Sequence, residues 1–156
     1  MISTLGFRKR ILLGAALIFG GFLISAIARS NDPTTATSAG RTLPKEFVAP
    51  TPVRAIIQRA CLDCHSDQTV WPWYSQIPPI SRQIQADVAR GRESMDFSSW
   101  NEYSPEERRA FAIEIAQTAA SGTMPPARYV WLHHEAKLSG SDRELLTEWA
   151  RAQQEK

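Results

Sequence analysis

Cys61, Cys64 and His65 stand within five residues of one another, and the two thiols are the chain's only 2 Cys in 156 residues. On a helix, residues three apart share a face, so both thiols can reach one edge of a flat ligand while the adjacent imidazole turns towards its centre. This is the spacing at which two cysteines form thioethers to the vinyl edge of a haem and the following histidine binds the iron. The same five residues also admit a thioredoxin-like dithiol, half of a zinc site or a structural disulfide. A four-thiolate zinc site is impossible with two cysteines, and no other cysteine exists to bridge elsewhere. The haem reading makes Cys61 and Cys64 attachment points and His65 the proximal ligand.

A haem held by one histidine has a sixth position to fill. Gly122-Thr123-Met124-Pro125-Pro126 offers a thioether in a loop stiffened by two prolines, which can hold sulfur at a fixed distance from iron. A lone methionine is more often core filler. Filler, however, needs neither the glycine before it nor the proline pair behind it, so Met124 is the expected distal ligand. Met95, His133 and His134 are rivals in less constrained settings.

Between these stretches runs Thr69-Val70-Trp71-Pro72-Trp73-Tyr74-Ser75, too rich in proline and aromatics for a regular helix. It reads as a loop along an edge of the cofactor, where Trp71, Trp73 and Tyr74 could donate N–H and O–H to the propionates. Ordinary core packing is the competing account of each. An axial histidine usually donates its second ring N–H to a carbonyl, and the turn at Pro78-Pro79 is the expected source, with Pro79 as its site residue.

The elements that must position these groups are helical. Thr51 reads as an N-cap with Pro52 at the first helical position, and Val53, Ile56, Ile57 and Ala60 give one apolar face leading into Cys61. Ser81 should cap a helix over 82–90 that stops at Gly91, with Ile84 and Val88 as its stripe. Residues 91–101 read as an irregular connector. Ser104-Pro105-Glu106-Glu107 has the form of a capping box opening a helix to Ser121, with Gly122 as its stop and Phe111 and Ile115 facing the core. Ser139 with Asp142 opens a last helix carrying Leu145, Leu146 and Trp149. The fold class is all-α.

Residues 11–28 carry no charge and would span roughly 27 Å as a helix, close to the thickness of a bilayer core. Arg8, Lys9 and Arg10 precede the run, so the positive-inside rule places the chain beyond Ala28 outside the inner membrane. Residues 1–28 are thus a signal sequence or a membrane anchor. Ala26-Ile27-Ala28 has the form of a cleavage site, whereas the length of the run favours the anchor. Residues 29–50, rich in Thr, Ser and Pro, read as a flexible linker, and 51–156 as the haem-binding domain. The formal charge of +2 comes from the amino-terminal cluster, since removing those three from 18 basic residues leaves 15 against 16 acidic. A near-neutral domain lacks the basic patch that nucleic-acid binding requires.

Taken together, the motifs are identified as those of the c-type cytochrome-like haem-binding domain family. CxxCHS stands at 61–66, Thr-x-Trp-Pro-Trp-Tyr-Ser at 69–75, Gly-Arg at Gly91-Arg92, and Phe-Ser-x-Trp at 97–100. Gly-x-Met-Pro-Pro stands at 122–126, and Leu-His with Leu-Ser at Leu132-His133 and Leu138-Ser139. The chain departs from the pattern at His134, where a proline is common, and at Asp87, where a histidine is common. The resemblance implies one covalently bound haem c in a cytochrome c-like fold, often behind an amino-terminal anchor. The expected work is one-electron transfer to a redox partner protein on the periplasmic side of the bacterial inner membrane, without enzyme activity. The domain would be soluble in the periplasm if the signal is cut. Rival functions are a haem sensor or peroxidase-like enzyme with a labile Met124, and a dithiol oxidoreductase, which lacks its βαβ setting.

Overall fold

The computed structural model describes residues 41–155, and among them the regular elements are all helical. Six α-helices occur among these residues, in order: α1 (Thr51–Ala60), α2 (Leu62–His65), α3 (Ile80–Ser94), α4 (Pro105–Ser121), α5 (Ala127–Leu132) and α6 (Gly140–Gln154). Short 3-10 turns lie at Trp73–Gln76, Phe97–Ser99 and His134–Ala136. The expected amino-terminal membrane helix lies outside the described residues, and among the described ones no helix is long and apolar enough to cross a membrane.

Helices α1, α4 and α6 form the frame. Val53, Ile56, Ile57 and Ala60 of α1 are buried, as their 3–4 spacing requires of one helix face. Helix α1 packs on α6, which also lies along α4. Pro50, with no side-chain bond, caps α1, and Thr51 is its first residue rather than its cap. Both expected capping boxes form: Ser104 and Glu107 exchange bonds at α4, and Ser139 and Asp142 at α6. Gly122 ends α4 with φ 73°, a left-handed conformation that a side chain disfavours.

Residues 41–50 do not behave as the linker expected over 29–50. Leu43 and Phe47 are buried in the core, and Phe47 touches Phe97, Trp100 and Trp149 at centroid separations of 5.3, 5.0 and 5.3 Å. Gln68 closes a reciprocal pair with Thr42, its amide donating to the Thr42 carbonyl and accepting from Thr42 N–H, both at 2.9 Å. Leu43 and Phe47 dock the segment together, and burying the phenylalanine alone contributes roughly 1.5–3 kcal/mol.

Helix α3 runs from Ile80 through Ser94, one turn beyond its expected end, and Gly91 lies inside it. A Cβ at Gly91 would stand 2.4 Å from the carbonyl oxygen of Cys64. The glycine therefore permits contact between α3 and α2 rather than stopping the helix.

Candidate functional site

Helix α1 ends at Ala60, and the chain restarts at once as α2, with Cys61 between them and Cys64 and His65 in the short second helix. His65 Nδ1 lies 3.0 Å from the carbonyl oxygen of Met95. A carbonyl only accepts, so Nδ1 carries the proton and Nε2 presents its lone pair outward. The orienting carbonyl is thus that of Met95, just past α3, and not that of Pro79 or Pro78.

Several bonds hold the chain after the motif. Buried Ser66 donates to the Leu62 carbonyl at 2.7 Å, and Arg92 donates to the Ser66 carbonyl at 2.8 Å and to the Thr69 hydroxyl at 2.9 Å. Between the cysteines, Asp63 accepts from Arg41, from Val70 N–H at 3.1 Å and from the Tyr129 hydroxyl at 2.5 Å. Burial and the Asp63 carboxylate beside it push the Tyr129 hydroxyl well above the ordinary phenol range.

Cys61, Cys64, His65 and Met124 all line one cavity of about 390 Å³. Its walls are largely apolar, with Ala60, Met95, Phe111, Ile115, Leu138 and Leu146 among them. That volume lies within the roughly 300–1,000 Å³ of pockets that enclose sizeable ligands. Met124 follows the α4 stop, its N–H donating to the Thr118 carbonyl at 3.2 Å, and the residue is 43% exposed. Burial is the main force raising both thiols, Cys61 to about 12 and Cys64 to about 11. Neighbouring groups add to the rise, the Cys64 thiol for Cys61 and the carboxylates of Asp63 and Asp87 for Cys64.

A family model described as a haem-binding domain matches residues 19–152. The chain belongs to the haem-binding domain family. No curated protein and no solved structure matches it. The cavity fits the group that the family binds: an apolar slot suits a flat macrocycle, and one imidazole and one thioether are soft donors that suit haem iron rather than a hard cation.

Trp71, Trp73, Tyr74 and Pro79 do not line this cavity. Trp71 and Trp73 are 47% and 72% exposed, and Tyr74 instead meets His133, its hydroxyl 2.6 Å from Nε2. Neither His133 nor His134 lines the cavity. His133 is held by Tyr74 and stacks on Tyr129 at 4.2 Å, while His134 is exposed. Nothing in the order of residues marks the roles of Asp63 and the Met95 carbonyl, since an acid between two cysteines and a backbone oxygen are chemically anonymous until the chain folds. Gly91-Arg92 did stand out as a pair, and both residues press on the motif.

Proposed function

We propose that this haem-binding domain is a single-haem, c-type cytochrome-like electron carrier. Cys61 and Cys64 hold the cofactor through thioethers, His65 is the proximal ligand and Met124 the distal one. The observation that carries this reading is the convergence of those four side chains on one apolar cavity, with His65 already oriented by Met95. When bound, the haem supplies a one-electron ferric–ferrous couple. The protein's share is to fix the imidazole, to keep water from the macrocycle with the α1, α4 and α6 side chains, and to set the potential through its axial ligands. Methionine as the sixth ligand favours the ferrous state relative to histidine. The domain would work on the periplasmic side of the inner membrane, held there by residues 11–28 and passing electrons to a partner protein.

Two rivals stand against it. A dithiol oxidoreductase needs a thiolate at neutral pH, and burial moves both thiols the other way. A sensor or peroxidase-like enzyme needs Met124 to leave the iron and admit a small molecule, whereas a carrier needs it to stay bound.

Haem staining of a denaturing gel tests attachment. The wild-type band should stain and the Cys61→Ala/Cys64→Ala variant should not, and an unstained wild-type band refutes covalent binding. Carbon monoxide then separates carrier from sensor. The reduced wild type should bind it poorly and Met124→Ala readily, whereas ready binding by wild type selects the sensor or peroxidase reading.

A further inference from the structure

Haem carries two carboxylates, and the aromatic residues expected to receive them do not line the cavity. The charged residues that line the cavity are Asp63, Asp87, Arg90, Glu114 and Arg128. Asp63 is already engaged by Arg41 and Tyr129, so the cations facing this space are Arg90 and Arg128. Their side chains are 62% and 60% exposed although they line the cavity, which puts both at its mouth. One carboxylate joins them: Asp87 accepts from Arg128 through Nη2 at 2.8 Å and Nε at 3.2 Å, and from Arg90 through Nη2.

We propose that Arg90 and Arg128 form the subsite for the two porphyrin carboxylates, with Asp87 as the positioning residue that brings the guanidinium groups from α3 and α5 to one edge of the cavity. Each guanidinium has five N–H donors, and Asp87 engages two on Arg128 and one on Arg90. The remaining donors suit carboxylates, which arginine recognises by charge and by a forked geometry. A carboxylate at the edge of an apolar slot requires such a partner, because an unpaired charge there is costly. This subsite rests on haem occupying the cavity described above.

The test uses the purified haem-loaded protein and the variants Arg90→Gln, Arg128→Gln, their double, and the corresponding lysine substitutions. Arg82→Gln is the control, an exposed arginine on α3 that does not line the cavity. Resonance Raman spectra report the propionate bending bands, and redox titration reports the midpoint potential. Each glutamine variant should shift a propionate band and lower the potential, since loss of a nearby positive charge favours the ferric state. Lysine should restore most of the potential but not the band, and Arg82→Gln should change neither. Asp87→Asn should raise the potential and move both bands. Unchanged bands and potential in the double variant, with the haem absorption intact, overturn the subsite. A wild type that takes up no haem overturns the cavity assignment instead.

Discussion

Gly91→Ala is the perturbation with the largest consequence per atom added. The new Cβ would stand 2.4 Å from the Cys64 oxygen, 3.0 Å from its carbonyl carbon and 3.1 Å from its Cβ. Real Cβ atoms keep beyond 3.0 Å, so α3 and α2 must separate by about 0.6 Å or more, and the atom in the way is backbone, which cannot rotate aside. Alanine gains roughly 1 kcal/mol over glycine inside a helix. Overpacking costs roughly 1–3 kcal/mol and occasionally more, and a backbone collision belongs at the upper end, so the net loss is about 1–2 kcal/mol. The same displacement would stretch the His65–Met95 bond from 3.0 Å towards about 3.6 Å, past the limit of a hydrogen bond. On the ligation proposed above, the imidazole would lose basicity and the potential would rise. Urea unfolding of the haem-loaded protein measures the first effect, and the His65 Nδ1–H resonance measures the second. An unchanged or later unfolding midpoint, with the Nδ1 proton still protected from exchange, would refute the argument.

Packing and charge set three further outcomes. Phe47→Ala should cost about 3–5 kcal/mol in urea unfolding, and a chain starting at residue 51 should unfold at lower urea than one starting at 41; equal midpoints would restore the linker reading. Asp63→Ala removes the partner of a largely buried Arg41, a loss of about 3–5 kcal/mol that a thermal melt would show and that Asp67→Ala, at an exposed residue, should not reproduce. Burial opposes ionisation of Asp142, but bonds from the Ser139 N–H and hydroxyl and from Arg59 outweigh it and hold the carboxyl below its ordinary value. Its contribution is therefore present above the unfolded value, near 3.8, and lost as pH falls through the lower folded one. Asp142→Asn should destabilise the domain at neutral pH, and its melting temperature should converge with that of wild type at the acid end of a pH series.

Local chemistry was enough to reveal the helical frame. Ser104 with Glu107, Ser139 with Asp142, and Gly122 mark helix ends because capping joins residues three or four apart, and α1 shows its buried face because the spacing of Val53, Ile56, Ile57 and Ala60 is fixed by helix geometry. The same locality made the Cys61, Cys64 and His65 trio and the Met124 loop legible as candidate ligands. That His65 and Met124 serve one iron was expected from ligand chemistry and the family motifs, since 59 positions separate them and no periodic signal spans that distance; the cavity they share appears only in the fold. The expected stop at Gly91 failed for a related reason. A glycine that ends a helix and one that admits a neighbouring backbone look alike in sequence, and only the approach of Cys64 distinguishes them. Tertiary packing likewise drew Tyr74 to His133 and left Trp71 and Trp73 outside the cavity, while Met95 supplied a carbonyl that every residue possesses. Residue type and spacing therefore determined which groups could do chemistry. Long-range burial decided which of them share a site, because it depends on shapes and distances that the order of residues does not display.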